Sequence, residues 1–211
     1  MYEGTVRQVK MNTNGKTLAL FDFDGTLTRK DSFISFIFFS RGILKAVLGL
    51  IILSPIIVSM KVKLLSRSRA KEIMFSYYFK GMEISEFTRL GMAFVDEVLN
   101  SIVRPSALKR LNEHRTAGDR IIVVTASAYE WVKPWTNKIG VELIATKWAK
   151  HSGRLTGKLE GRNCNGEEKV KRLREVVSPE SFEAIYVYGD TSGDQAMFAI
   201  ATHKHYRFFT D

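Results

Sequence analysis

The chain has 211 residues, 45% hydrophobic and 26% charged, with a formal net charge of +10 and a single cysteine, Cys164. That length suits one domain, or one domain carrying a smaller insert, and the composition excludes a disordered chain. One cysteine excludes an internal disulfide and fits a reducing compartment with an inert thiol, and the positive charge asks for an anionic partner.

Three partners meet that charge: a phosphorylated small molecule, nucleic acid, or an anionic membrane surface. Zinc-finger spacing and RNA-binding aromatic signatures are missing, so nucleic acid is not expected. The opening stretch, MYEGTVRQVKMNTNGK, is polar and lacks the apolar core of a signal peptide, so the working face is expected in the cytoplasm.

Residues 17–23, TLALFDF, crowd apolar side chains into a short run ended by Asp24-Gly25, the pattern of a buried strand. Residues 31–103 then read as helical throughout. They are expected to form a cap inserted between core segments 1–30 and 104–211. Within the cap, residues 43–60, ILKAVLGLIILSPIIVSM, hold one charge, Lys45, and one proline, Pro55. That run is short for a spanning helix, which needs about 20 apolar residues. A buried helix pair, an apolar pocket lining and a segment docked in a membrane interface stay open. The basic run Lys61, Lys63, Arg67, Arg69 and Lys71 would help the docked form, giving peripheral contact through 43–71. An apolar cap face also suits a homo-oligomer interface.

Helical patterns over 104–116, 128–139, 166–177 and 192–201 alternate with strands over 121–125 and 185–188. Residues 146–161, broken by glycines, read as a hairpin beside the sheet. The alternation argues for an α/β fold with a parallel sheet covered on both faces.

Four motifs carry chemistry. Asp22-Phe23-Asp24-Gly25-Thr26-Leu27-Thr28 sets two carboxylates at the end of the first strand. Open parallel sheets bind ligands at the carboxyl ends of their strands. Two negative groups held together there call for a cation, and oxygen donors suit magnesium. Tyr188-Gly189-Asp190-Thr191-Ser192-Gly193-Asp194 adds two more carboxylates after the third strand. Val124-Thr125-Ala126-Ser127 puts hydroxyls where a strand gives way to a helix, a place that binds phosphate oxygens well. Lys169, early in a helix in NGEEKVKRL, would by itself read as solvent-facing.

In this order, the four motifs resemble the haloacid-dehalogenase-like hydrolases. The resemblance implies a Rossmann-like, doubly wound parallel sheet with a helical cap of the C1 type inserted after the first motif. It also implies roles. Asp22 would attack phosphorus and become an aspartyl phosphate. Asp24 would protonate the leaving alkoxide and then activate water. Thr26, Thr125, Ala126 and Ser127 would hold phosphoryl oxygens, and Lys169 would neutralise charge. Magnesium would sit on Asp22, on Asp24 through its main-chain carbonyl, and on Asp190, with Asp194 close by. The second aspartate of the first motif points to phosphate chemistry rather than dehalogenation. A phosphatase of a small soluble, phosphoserine-like metabolite, a phosphotransferase using the same site, and a binding protein without turnover are the alternatives.

The inserted cap and the GDTSGD loop resemble the phosphoserine-phosphatase-like branch, with two departures. Asp31 stands where phosphoserine phosphatases carry Glu, and Gly193 where their loop carries Asn. Only Arg67, Arg69 and Lys71 are candidates for that branch's cap arginine. The Lys30-Asp31-Ser32-Phe33 segment, the apolar cap and Cys164-Asn165-Gly166-Glu167-Glu168-Lys169 are more similar to phosphatidylglycerophosphatase C-like phosphatases. That likeness implies a lipid phosphate substrate, met at the inner face of the membrane.

Overall fold

A computed structural model describes residues 16–211. The polar opening stretch and most of the first half of core segment 1–30 lie outside the described residues. In chain order the elements begin with β1 (Thr17–Phe21) and a helical insert of α1 (Ser32–Ile52), α2 (Ser54–Lys61), α3 (Arg67–Phe79) and α4 (Ile84–Phe94). A π-helical turn, Val95–Leu99, carries α4 into the short α5 (Asn100–Ile102). Then come α6 (Pro105–Thr116), β2 (Arg120–Ala128), α7 (Tyr129–Ile139), β3 (Glu142–Thr146), β4 (Trp148–His151) and β5 (Arg154–Leu159). The chain finishes with α8 (Glu167–Val176), β6 (Ala184–Gly189), α9 (Gln195–Ala199) and β7 (His203–Tyr206).

Five strands form one parallel sheet in the order β3-β2-β1-β6-β7. The two-residue period of the strands divides their side chains between two cores. Ala19 and Phe21 of β1, with Ile121 and Val123 of β2, face the layer that also packs the insert. Leu18, Leu20, Ile122 and Val124 face the α8 and α9 layer. Helices on both faces make this a Rossmann-like, doubly wound α/β fold carrying a helical cap.

Two strands were not expected. β3 is five residues long and starts on Glu142, and β7, His-Lys-His-Tyr, is a polar edge strand. β3 has an apolar run of only three residues, Leu143-Ile144-Ala145, and β7 has none, so each depends on a neighbour's hydrogen bonds to be a strand. β2 runs to Ala128, past the expected end at 125, with a register shift between Thr125 and Ala128. Thr125-Ala126-Ser127 is therefore irregular strand end, and α7 begins only at Tyr129. The expected helix over 192–201 opens as a 3-10 turn, Ser192–Asp194, before α9. The hairpin is present as β4 and β5, a separate antiparallel pair.

Residues 43–60 do not form a buried helix pair. α1 is broken at Gly42, whose φ of 74° and ψ of 162° are not helical, and Pro55 sits in the first turn of α2. Ala46 and Leu53 are buried, whereas Ile43, Leu44, Leu48, Ile51 and Val58 are exposed, Leu44 by 83%. α1 has the length and composition to cross a membrane. The break leaves two arms of about 15 Å each, and a hydrocarbon core is about 30 Å thick.

Aromatic side chains join the insert to the sheet layer. Phe36 of α1 packs on Phe79, Phe87 and Phe94 of the insert and stacks on Trp131 of α7 at 4.6 Å. Phe75 of α3 stacks on Trp148 of β4. Main-chain hydrogen bonds add to this: Gly81 N–H donates to Leu155 O at 2.8 Å, and Leu155 N–H to Met82 O at 2.9 Å. Replacing fully buried Phe36 with alanine should cost about 3–5 kcal/mol. Urea unfolding measures this; a loss below about 1 kcal/mol would mean that the aromatic cluster does not hold the two layers together.

Candidate active site

Phe21, the last residue of β1, pairs with Val123 of β2 and with Tyr188 of β6. Asp22, Thr125 and Asp190 consequently emerge side by side at the carboxyl ends of three adjacent parallel strands, where such sheets bind ligands. Gly25 takes φ 82°, and a Cβ there would come within 2.3 Å of Asp190 Oδ2. Only glycine lets the first motif turn back so close to the last. A cleft of about 600 Å³ opens over these ends, with Asp22, Asp24, Thr125, Ser127, Lys169 and Asp190 in its wall.

Lys169 is buried, and its Nζ donates to Asp22 Oδ1 and to Asp194 Oδ1, each at 2.6 Å. Burial opposes its charge, but the two carboxylates outweigh that and hold it above the ordinary lysine range. Asp194 is fully buried and uses its other oxygen on the N–H groups of Asp190 and Thr191 and on the Thr191 hydroxyl. It thereby shapes the loop that presents Asp190. Burial pushes Asp22 up to about 7, against the pull of Lys169 and with the charge of Asp194 adding to the rise.

Asp24 is employed differently. Its Oδ1 accepts the Ser32 N–H at 2.7 Å, and its Oδ2 accepts the Ser127 hydroxyl. Burial, aided by the charge of Asp31, lifts it to about 6 against those two hydrogen bonds. Carboxylate oxygens of Asp22, Asp190 and Asp194 lie within 4.8 Å of one another, and the Asp24 side chain is not among them. Three such carboxylates facing one lysine leave a negative excess in a buried place, and hard oxygen donors of this kind fit a magnesium ion. Asp190, half-buried and raised by burial, has the side chain freest to serve it.

The other expected residues are distributed unevenly. The Thr26 hydroxyl donates to Asp190 Oδ1 at 3.3 Å, which supports the acidic loop instead of facing the cleft. Thr125 is buried and its hydroxyl accepts the Ser127 N–H at 2.9 Å. Lys71 comes down from the insert, and its Nζ donates to the Ala126 carbonyl. Arg67 reaches the cleft, but Arg69 does not: it pairs with Glu72 beside a different groove. Asp31 lies at the cleft with its side chain capping α1, Oδ1 accepting the Ile34 N–H at 2.9 Å. Cys164 is buried and its thiol is pushed up to about 11 by burial, the state of an inert cysteine.

Two residues of the site carried no role in the sequence reading. Ser32 is fully buried between Asp24, Ser127 and the Trp131 indole N–H, which donates to it at 3.1 Å. Asn165 lines the cleft and explains Gly193, because a Cβ at 193 would lie 2.2 Å from Asn165 Oδ1. Ser32 stood in the Lys30-Asp31-Ser32-Phe33 segment that carried a resemblance, but by itself it was a polar position at the start of an apolar helix, which an ordinary N-terminal turn also has.

The raised carboxylates set a pH dependence. Between 3.8 and about 7 the folded chain keeps on Asp22 a proton that the unfolded chain has released. Stability of the metal-free protein should therefore fall as pH rises through that window, with Asp24 and Asp190 acting in the same direction. Magnesium should raise the melting temperature more near pH 7.5 than near pH 5, which scanning calorimetry would read. An equal shift at both pH values would place the ion elsewhere.

Comparison with known proteins agrees with this geometry. Residues 19–199 match the profile of the family described as haloacid dehalogenase-like hydrolase. Protein CicA of Caulobacter vibrioides is 37% identical over 194 residues, covering 91% of this chain and 86% of that protein. A Bordetella pertussis crystal structure of unknown function superposes with a TM-score of 0.79 at 25% identity, over 90% of this chain and 89% of that one. A phospho-aspartyl intermediate analogue of phosphoserine phosphatase shares the fold, with a TM-score of 0.65 at 22% identity over 90% and 85% of the two chains. With its acidic strand ends, bridging lysine and inserted cap, the chain belongs to the haloacid dehalogenase-like hydrolases.

Proposed function

We infer that this protein is a magnesium-dependent phosphomonoester hydrolase that works through an aspartyl phosphate on Asp22. The observation that carries the reading is the divided use of the first motif's two aspartates. Asp22 is paired with Lys169, whereas Asp24 turns to Ser32 and Ser127 and is lifted to about 6. That division suits one carboxylate as nucleophile and the other as acid and base.

Residues up to 30 and 104–211 act as the catalytic core, and 31–103 act as the cap. An Asp22 oxygen attacks phosphorus while the bond from phosphorus to the alkoxide breaks, and Asp24 delivers its proton to that alkoxide. Asp24 then takes a proton from water as the water attacks phosphorus, releasing phosphate and restoring Asp22. Lys169 keeps Asp22 aimed and offsets charge, and Thr125, Ala126 and Ser127 bound the space for the phosphoryl oxygens. Magnesium, held by Asp22, Asp190 and the Asp24 carbonyl with Asp194 bracing the loop, would supply charge neutralisation for the phosphoryl group.

Asp22→Asn should leave no phosphoryl adduct on the protein and no turnover. Asp24→Asn should lower kcat by about 10²–10⁴. Chelation should abolish activity and magnesium should restore it. Appreciable turnover by the Asp22 variant, read by phosphate release, would remove the nucleophile assignment.

The substrate reading is a lipid phosphate such as phosphatidylglycerophosphate, met at the cytoplasmic face of a membrane. Its support is the outer arm of α1 with α2, which exposes Ile43, Leu44, Leu48, Ile51 and Val58. The surrounding stretch, residues 32–71, has seven Lys and Arg and neither Asp nor Glu. An apolar face ringed by cations suits an anionic bilayer. The protein should sediment with vesicles containing anionic lipid more than with neutral ones, and Leu44→Glu with Ile51→Glu should reverse this. A dimer that those substitutions dissociate, with no vesicle binding, would make the face an oligomer interface instead.

A further inference from the structure

The cleft over Asp22 has a floor and a wall of different chemistry. Its floor is polar, and the groups there are already engaged with one another: Lys169 with Asp22 and Asp194, Ser127 with Asp24, and Thr125 with the Ser127 N–H. The insert supplies the wall, chiefly Ile34 of α1, Ile57 and Met60 of α2, and Met74 of α3. Met74 is buried and the other three are half-buried. Met74 belongs to the main hydrophobic core and Ile34 and Ile57 pack against it, so most of the wall is in place before any ligand arrives.

Resting on the phosphomonoesterase reading above, we propose that Ile34, Ile57, Met60 and Met74 bind a hydrocarbon chain on the alcohol esterified to the phosphate. The enzyme then favours phosphomonoesters whose alcohol carries a hydrocarbon chain over those whose alcohol carries none.

Three observations lead there. The first is size: a cleft of about 600 Å³ has room for a sizeable leaving group beyond the phosphoryl group. The second is what the wall lacks. Arg29, Lys30, Asp31, Arg67 and Lys71 also line the cleft. The four apolar side chains of the wall, however, offer no polar partner, and a hydroxyl held against them would lose its hydrogen bonds at a cost. The third is the chemistry of the lining: unbranched methionines adapt to a flexible chain, and branched isoleucines give it a fixed surface. α2 divides its faces accordingly, turning Ile57 and Met60 to the cleft and Val58 and Val62 to the outside.

The test uses n-alkyl phosphates from ethyl to octyl, kept below their micelle concentrations so that no lipid surface is present. With the full chain and magnesium, kcat/KM should rise with each methylene by up to about fourfold, the factor for complete burial of a CH₂ group. The octyl-to-ethyl ratio should exceed about fifty in the unmodified protein and fall to about five or less in Ile57→Asp and in Met60→Lys. A ratio taken within one protein does not respond to general loss of activity. The unmodified protein's series stands even where a variant fails to fold. A flat series with ethyl phosphate still hydrolysed would overturn the hydrocarbon site and leave the phosphatase reading intact. A steep series unchanged in both variants would move the site away from α2. Failure to hydrolyse any of the esters with magnesium present would overturn the phosphatase reading and this site with it.

Discussion

The Lys169 ammonium, buried between Asp22 and Asp194, is the interaction on which the rest of the site depends. A lone buried carboxylate or ammonium is costly, and a buried pair survives only when its remaining hydrogen bonds are met. Asp194 meets that condition through three donors of its own loop, and the same bonds fix the loop that presents Asp190. Asp22 is only partly compensated, which is why burial lifts it to about 7. The strand ends therefore hold acidity that their own lysine does not balance. That imbalance suits a site built to receive a cation and a phosphoryl group together.

Asp24 shows how one turn separates two like residues. The left-handed Gly25 turns the chain, and Asp24 stands apart from the Asp22, Asp190 and Asp194 cluster, gripped by Ser32 and Ser127. Ser32 begins the first helix of the insert, and Trp131 of α7 secures it. The placement of the Asp24 carboxylate thus depends on the insert being docked. The aromatic cluster around Phe36 and the main-chain bonds between the β4–β5 hairpin and the insert provide that docking. Stability of the cap and geometry of the site share one set of contacts.

The insert carries two surfaces of the same apolar character for opposite reasons. Ile57 and Met60 are half-buried because they close over the cleft. Leu44 and Ile51, on the arm of α1 beyond the break at Gly42, and Val58 of α2 are exposed, while Ala46 of the same arm packs into the core. Natural surfaces seldom leave so many large aliphatic groups in water without a partner for them. A substrate with a hydrocarbon chain, drawn from an anionic surface, gives both faces a use.

Much of this was legible in the residues themselves. Apolar runs ended by Asp-Gly or Gly-Asp located β1 and β6, because burial on both faces of a parallel strand leaves a continuous hydrophobic signature. The same sites located Asp22, Asp24, Asp190 and Asp194, since a strand end is a local feature. Only the tertiary structure decided the rest. β3 has only three apolar residues in a row and β7 is polar, and both are strands because neighbours complete their hydrogen bonds. Ser32, Asn165 and Lys71 join the site from segments far apart in sequence; Lys71 was one of three cap candidates, and Ser32 and Asn165 stood in segments that carried a resemblance but gave them no role. The apolar stretch 43–60 was ambiguous for the same reason. Composition states how much apolar surface a helix has, while the break at Gly42 and the packing of its neighbours decide which part of it meets the core, the cleft or water.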